Sequence, residues 1–212
     1  MNEGLSRLER RDRILEAALV HVPFDGWSRR SLRAGAAEAG FDAATARRLF
    51  PGGADDLLAH LDDWADREML ERLDELDLGS MRVRERIAAA VRARLEALEP
   101  HREAVRRAIA ARIVPGNAVR GTRNLWRTVD TIWSAAGDAG RGGLDYYTKR
   151  GLLAAVYSST LLFWLEDRSE GCRDTWAFLE RRIDDVMRIG TVRSTVENAL
   201  DGLSALNPLR RH

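Results

Sequence analysis

The chain has 212 residues, and its 34 lysine and arginine residues are balanced by 33 aspartate and glutamate residues to a formal net charge of +1. This balance excludes the broad positive field on which non-specific binding to nucleic acid depends, so any DNA-binding site has to be local. Cys172 is the single cysteine, which excludes an internal disulfide and is typical of a reducing compartment.

Apolar residues recur at intervals of three and four almost throughout the chain, which predicts an all-α protein of about nine core helices. The eighth of these helices is apolar nearly all round, a pattern typical of a central helix buried on several sides. In chain order, the predicted helices extend from about Leu5 to His21, Ser28 to Ala39, Ala43 to Leu49, Ala54 to Leu76, Met81 to Leu98, beyond Pro100 to Ile113, Asn117 to Ala136, Tyr146 to Leu165 and Arg173 to Ile189.

Capping residues predict several of the helix ends. Pro23 and Gly26 end the first helix. Ser28 is a good N-cap for the second helix, and Gly40 is its C-terminal stop. Ser80 caps the fifth helix. Glycines dominate residues 137–143, which predicts a loop with little intrinsic order.

The residues that enzyme sites use are present but scattered. His21, His60, His101 and His212 lack the paired spacing of a helical metal site, and no strand precedes a glycine-rich phosphate loop. His60 lies four residues after Asp56, which predicts a solvated helix face, and the other charged residues are assigned to outer helix faces as well. We therefore predict a binding protein rather than a catalyst, with no metal and no cofactor.

The second and third helices, joined by a glycine-containing turn, predict a helix-turn-helix unit. The run Ala34–Pro51, followed by Leu57 and Leu58, resembles the N-terminal domain of TetR-family regulators. In that family the short helix binds DNA through donors in its first turn.

That first turn departs here from the family pattern, because it begins Asp42-Ala43-Ala44 and offers an acid and two alanines to a phosphate. Arg47 stands where the family usually has tyrosine, and Gly52-Gly53 follows where it has lysine. The resemblance therefore predicts the fold but no specific DNA binding. The alternative is a TetR-type transcriptional regulator that binds DNA through its helix-turn-helix.

Aromatic residues are concentrated on three helices of the C-terminal half. An ordinary core is one interpretation, and a pocket for a long apolar ligand, lined with a few hydroxyl groups from Ser158, Ser159 and Thr160, is the other. The predicted lipid-binding residues are Leu125, Val129, Trp133, Leu153, Val156, Tyr157, Leu161, Trp164, Trp176, Leu179 and Ile183.

Residues 191–212 form a predicted amphipathic helix. At 100° per residue its apolar side chains share one face, while Arg193, Glu197, Asp201 and Ser204 face away. This helix is suited to docking on its own protein, pairing with a second copy or lying in a membrane interface. The predicted membrane-binding residues are Val192, Val196, Leu200, Leu203 and Leu206.

Several longer segments resemble the ubiquinone biosynthesis Coq-nine family over about residues 13–190, in the manner of an alphaproteobacterial-type member. They are Ile14–Leu19 with His21–Trp27, Leu49–Gly53, Trp126–Asp130 with Trp133 and Ala136–Asp138, Tyr146–Arg150, and Asp174–Leu179 with Arg182 and Ile183.

This resemblance implies a TetR/FadR-like fold that has lost DNA binding and binds isoprenoid quinone intermediates. It implies presentation of these lipids to the di-iron demethoxyubiquinone hydroxylase, and approach to the membrane through the C-terminal helix. The partner-binding residues that it implies are Tyr146, Tyr147, Lys149 and Arg150. The preceding loop, residues 139–145, departs from the family pattern.

Together these observations predict a non-catalytic lipid-binding accessory protein, dimeric through its last two core helices, cytoplasmic and peripheral to the inner membrane. We predict a helix-turn-helix-like domain over residues 1–53, a lipid-binding and dimerisation domain over 54–190 and an amphipathic tail over 191–212. A purely structural scaffold is the third function that we consider.

Overall fold

The computed structural model describes the backbone of residues 4–113, 118–137 and 144–188, and the side chains of residues 4–112, 121–137 and 147–188. Within these ranges the regular elements are helices and no β-strand occurs, so the all-α prediction is confirmed. Residues 138–143 of the predicted loop and the whole predicted tail, with Val192, Val196, Leu200, Leu203 and Leu206, lie outside the described residues.

All nine predicted helices have a counterpart among the described residues, and the third has the bounds that the sequence predicts. In chain order the helices are α1 (Arg7–Asp25), α2 (Arg29–Glu38), α3 (Ala43–Leu49), α4 (Ala54–Asp74), α5 (Val83–Leu98), α6 (Arg102–Ile113), α7 (Ala118–Ala135) and α8 (Leu144–Glu166). Residues 173–188 form α9. Short 3₁₀ turns at Leu78–Ser80, Glu99–His101 and Glu170–Cys172 precede α5, α6 and α9.

The first three helices form the predicted helix-turn-helix unit after a longer first helix. α1 and α2 cross so closely that a Cβ atom at Gly35 would lie 2.5 Å from the backbone nitrogen of Ala18, so glycine alone fits there. Ser28 caps α2 as predicted, accepting hydrogen bonds from the backbone N–H groups of the first turn. Gly40 follows α2 with a φ of +77°, a left-handed conformation that glycine adopts without strain.

The predicted stop of α1 at Gly26 is confirmed, whereas the predicted end at His21, before Pro23, is wrong. The helix continues to Asp25 and ends at Gly26, whose N–H donates to the carbonyl oxygen of Val22 at 2.9 Å. Proline removes one backbone donor from the helix. Burial of the apolar face of α1 just before this point, with Leu19 and Val22 inside, offsets that loss.

The predicted N-cap of α5 is also wrong. Ser80 lies in the preceding 3₁₀ turn, where its hydroxyl donates to the carbonyl oxygen of Asp77 at 2.9 Å. Arg82 holds the N-cap position, and its backbone N–H donates to the Glu85 carboxylate at 2.8 Å. The local turn therefore satisfies the serine hydroxyl before the helix begins.

The described chain divides after Tyr157 into two compact units, with α8 running through the boundary. In the first unit, α4 contributes buried residues such as Leu57, Leu61 and Met69 and packs against α5 and α7. The indole N–H of Trp27 donates to the carbonyl oxygen of Ala104 at 3.0 Å, which ties the turn after α1 to α6.

In the second unit, Asp167 fixes the start of α9. Its carboxylate accepts the backbone N–H groups of Ser169 at 2.7 Å and of Thr175 at 2.9 Å. Burial raises the pKa of Asp167, but the hydrogen bonds from Thr175 and Ser169 outweigh burial and lower it to about 2. The predicted division at residues 53 and 190 stays a prediction.

Candidate functional sites

The first turn of α3 presents negative charge where a DNA-binding domain needs donors. The hydrogen bond from Thr45 lowers the pKa of the exposed Asp42 carboxyl group, which keeps it ionised. The guanidinium of Arg48 donates to the Thr45 hydroxyl at 2.7 Å, and the Gly52 N–H donates to the Asp56 carboxylate at 2.6 Å. Carboxylates thus lie at both ends of α3, a charge pattern that favours the prediction of no specific DNA binding.

A buried polar cluster lies between α4, α5, α7 and α8 in the first unit. Its centre is Arg94, which is 2% exposed and donates from Nε to Asp66 at 2.8 Å and from Nη1 to the Tyr157 hydroxyl. Burial alone would lower the pKa of Arg94, but Tyr157, Asp66 and Asp62 raise it above its ordinary value. Burial raises the pKa of Tyr157, so the phenol stays neutral.

Further side chains satisfy the two carboxylates of this cluster. Asp62 accepts hydrogen bonds from Arg112 and, at 2.9 Å, from Asn124. Asp66 accepts one from the Thr128 hydroxyl at 3.0 Å. Because the partners surround both carboxylates, the cluster keeps its charges paired inside the protein.

Two sequence predictions are corrected here. Asp62, Asp66 and Arg94 do not lie on outer helix faces, because their mutual pairing makes burial tolerable. His60 is not on a solvated face either: it is 2% exposed and 2.8 Å from the Asp12 carboxylate. A signal was available, since Asp62 and Asp66 follow Leu58 at four-residue spacing on the apolar face of α4, where carboxylates without partners are unfavourable.

A polar cleft of about 320 Å³ lies against the outer edge of this cluster. Arg112 and Asn124 belong to both, because they line the cleft and donate to Asp62. None of the predicted lipid-binding residues lines this cleft. The described lining residues are Asp55, Asp56, Leu58, Ala59, Arg112, Gly121, Arg123 and Asn124.

The predicted lipid-binding residues fall into two sets, one in each unit. In the first unit, Val129 and Trp133 on α7 and Leu153, Val156 and Tyr157 on α8 are buried, and Leu125 is half-buried. Tyr157 is a member of the polar cluster rather than a purely apolar side chain.

In the second unit, Trp164 on α8 and Leu179 and Ile183 on α9 are buried, while Leu161 and Trp176 are half-buried. The indole N–H of Trp176 donates to the Gly171 carbonyl oxygen at 2.8 Å. Phe163 and Phe178 stack with ring centroids 4.6 Å apart. These positions fit an apolar interior, and the ligand-binding role of these residues stays a prediction.

The predicted partner-binding residues differ in exposure. Tyr147 is 63% exposed and stacks on Trp126 with ring centroids 6.2 Å apart. Lys149 is exposed, whereas Arg150 is buried and donates to the Asp130 carboxylate at 2.6 Å. The side chain of Tyr146 lies outside the described residues. The face therefore presents an aromatic pair and one exposed cation, and its role as a partner site stays a prediction.

Two other kinds of feature are absent from the described residues. In that part of the chain no helix is long and apolar enough to span a membrane. Nor do His, Cys, Asp and Glu side chains there form a group of three or more that would hold a metal ion.

Comparisons with known proteins bear on the fold and the family. A family model described as COQ9 matches residues 118–190. The chain is 34% identical to ubiquinone biosynthesis protein COQ9, mitochondrial, of Xenopus tropicalis over 214 residues, which cover 95% of this chain and 67% of that protein. The protein of the same name from Homo sapiens is 34% identical over 202 residues, covering 90% and 63%. The chain thus spans about two thirds of the length of these relatives.

The fold is similar to that of a TetR transcriptional regulator from Nitrosomonas europaea ATCC 19718. The TM-score is 0.69 at 25% identity, and the alignment covers 84% of this chain and 97% of the regulator. The predicted TetR-like fold is therefore confirmed.

Proposed function

The chain belongs to the COQ9 family, and on this premise we propose that it serves ubiquinone biosynthesis as a non-catalytic protein that binds isoprenoid quinone intermediates. It presents these lipids to the di-iron demethoxyubiquinone hydroxylase. The names of its curated relatives support the pathway, and the composition of α7, α8 and α9 supports the ligand.

The observation that carries the proposal is the aromatic character of these helices, which the family model matches over residues 118–190. Each contributes a buried or half-buried tryptophan: Trp133 on α7, Trp164 on α8 and Trp176 on α9. Large aromatic side chains with few polar groups suit the tail and ring of a prenylated quinone.

Lipid content tests the ligand directly. We expect native mass spectrometry and solvent extraction of the purified full chain to show bound prenyl lipid, quinone or phospholipid. Preparations that are repeatedly free of lipid would contradict the proposal.

Tyr147→Ala tests the partner site. The exposed tyrosine ring on Trp126 is the kind of aromatic anchor that interfaces use, so we expect the variant to weaken association with the hydroxylase roughly tenfold. Surface plasmon resonance with immobilised hydroxylase measures the change, and lipid content should stay at the wild-type level. Phe24→Ala, which removes an exposed aromatic side chain from α1, is the matched control. Equal binding of wild type and Tyr147→Ala, or loss of lipid and partner together, would contradict this role.

The second unit supports a homodimer. Leu162 and Met187 are each 54% exposed, and the stacked ring of Phe163 is partly exposed, on α8 and α9. A second copy packing on these helices would remove this apolar surface from water. Sedimentation equilibrium should give the mass of a dimer. We also propose that the protein works in the cytoplasm at the inner membrane, which it reaches through residues 191–212.

A TetR-type regulator is the second candidate, favoured by the structural similarity to the Nitrosomonas europaea protein. It would require binding to genomic DNA with a steep dependence on salt, lost in Arg47→Ala and Arg48→Ala. The carboxylates of Asp42 and Asp56 beside α3 weigh against this candidate.

A further inference from the structure

The indole nitrogen of Trp133 lacks a hydrogen-bond acceptor among the described residues, although the side chain is only 8% exposed. Trp27 and Trp176 differ, because their indole N–H groups donate to backbone carbonyl oxygens at 3.0 and 2.8 Å. Leaving a buried donor unsatisfied is unfavourable, and native proteins keep such groups rare. Nε1 of Trp133 is thus a donor inside the protein with no acceptor from the described chain.

Trp133 shares a face of α7 with two residues that contact α8. Trp126 and Asp130 lie seven and three residues before Trp133 and share its helix face. Trp126 stacks on Tyr147 and Asp130 pairs with Arg150, and both of these partners belong to α8. Trp133 is buried and lies on the same face of α7 as these two contacts with α8.

The surroundings of Trp133 select the kind of acceptor. Val129 and Ile132, on the adjoining part of α7, are fully buried, so apolar groups flank the donor. An indole N–H is a neutral donor without acceptor capacity, and it pairs with a neutral oxygen in such surroundings more readily than with an anion. A hydrogen bond made there is stronger than one made in water.

We propose that the Trp133 indole donates a hydrogen bond to a ring oxygen of the bound lipid, a quinone carbonyl or a phenol. Trp133 thereby favours lipids with an oxygenated ring over lipids that consist of a hydrocarbon chain alone. This inference rests on the proposed function, because it assumes that α7 contributes to the lipid site.

Trp133→Phe tests the inference, since phenylalanine keeps an apolar ring and lacks the N–H. The probes are a benzoquinone that carries a decyl chain and a ring-free hydrocarbon of matched length, each added to the purified full chain in native mass spectrometry. We expect the variant to bind the quinone roughly tenfold more weakly, the effect of one hydrogen bond, and the hydrocarbon unchanged. Trp27→Phe is the matched control, because Trp27 is not one of the predicted lipid-binding residues and its indole N–H donates to the Ala104 carbonyl oxygen. It should keep the wild-type preference between the probes.

Thermal denaturation of the lipid-free protein gives a second readout. Both variants lose ring volume, but Trp27→Phe also strands the Ala104 carbonyl oxygen, whereas Trp133→Phe strands no acceptor. The melting temperature should therefore fall more in Trp27→Phe than in Trp133→Phe. A third readout needs no variant with altered packing. In wild-type protein with ¹⁵N-labelled indoles, we expect one indole resonance to shift with the quinone and not with the hydrocarbon.

The outcomes separate the inference from the proposed function. If wild-type protein binds neither probe, the proposed function fails and the inference fails with it. If wild-type protein binds both probes and Trp133→Phe weakens both equally, or neither, only the inference is overturned. An indole spectrum that responds identically to both probes also overturns it.

Discussion

At the scale of single residues, Arg94 connects four helices at one buried point. From α5 it reaches Asp66 on α4 at 2.8 Å, Thr128 on α7 at 3.5 Å and Tyr157 on α8. Removing one member of such a cluster costs more than the cluster contributes, because the remaining charges stay buried without their partner. We therefore expect the loss of the Arg94 guanidinium to destabilise the first unit more than the loss of any other member of the cluster.

We expect Arg94→Met to lower the free energy of unfolding by about 3 kcal/mol, since Asp66 and Asp62 would lose their central cation. Urea denaturation followed by circular dichroism measures this change. The matched control is Arg92→Met, which removes an exposed arginine from the same helix that pairs with Glu96 at 2.7 Å. An exposed pair contributes about 0.5 kcal/mol. A loss of similar size in both variants would show that burial of the cluster contributes little to stability.

The residue scale is also where prediction from sequence stops. The spacing places Asp62 and Asp66 on the apolar face of α4, but their partners Arg94 and Thr128 come from helices 28 and 62 residues away in the chain. A helical pattern shows which face of one helix is apolar. It does not show which distant helix packs on that face. Trp133 is similar: its apolar position was predicted, and its unsatisfied N–H was not, because an acceptor comes from tertiary packing.

At the scale of elements, α1 and α4 are joined through His60. Its ring lies 2.8 Å from the Asp12 carboxylate, and Arg67 donates to the same carboxylate at 2.6 Å. Phe50, which follows α3, packs edge-on against the imidazole with centroids 5.8 Å apart. One buried histidine on α4 thus contacts both α1 and the residue that follows α3.

His60→Gln should flatten the pH dependence of stability. Burial, with the nearby charge of Arg11, lowers the pKa of His60 in the folded state. Between that value and the unfolded pKa of about 6.5, the unfolded chain binds more protons, so wild-type stability falls as the pH drops from 7.5 to 5. We expect the fall in the free energy of unfolding between pH 7.5 and 5 to be smaller in the variant by roughly 1 kcal/mol. Urea denaturation at the two pH values measures it.

His21→Gln is the control, because it removes a half-buried histidine whose ring pairs with Glu38 at 2.8 Å. This variant should keep the wild-type decline. His101, whose pKa is also lowered by burial, should supply the slope that remains in His60→Gln. If His60→Gln and wild type decline equally, His60 does not link protonation to folding.

The helix bounds follow from local chemistry where a single residue can satisfy the backbone groups at the helix end. Ser28 and Gly40 act as predicted because each satisfies its own helix end. Pro23 and Ser80 do not act as predicted. Burial of α1 lets the helix continue past Pro23, and a local 3₁₀ turn takes the Ser80 hydroxyl, and the capping rules include neither effect. Sequence therefore predicts which segments are helical better than it predicts where they end.

At the scale of the whole molecule, the sequence motifs predicted the family, whereas the periodicity predicted only the helices. Periodicity predicts helices, and the segments around Trp126, Tyr147 and Trp176 predict the family, which the similarity to COQ9 proteins confirms. The candidate site was predicted as a set of apolar positions. The pairing of one of these positions, Tyr157, with Arg94 was found in the structure alone, because pairing across helices depends on the packed fold.

The last prediction tests whether the predicted helix of residues 191–212 binds a membrane. In the predicted helix of residues 191–212, Leu203 lies on the apolar face and Ser204 on the polar face. Burial of a leucine side chain contributes about 1.5–3 kcal/mol, so Leu203→Asp should reduce binding to vesicles of phosphatidylcholine and phosphatidylglycerol by roughly tenfold or more. Flotation of the full chain with these vesicles measures the change.

Ser204→Asp is the matched control, because it introduces the same charge one residue away and leaves the apolar face intact. It should float nearly as well as wild type, with a small reduction from repulsion by the anionic lipid that added salt removes. Equal losses in both variants would mean that charge alone governs binding. Wild-type flotation of Leu203→Asp would instead place the apolar face against the protein or a second copy, since an interfacial helix cannot bury an aspartate at no cost.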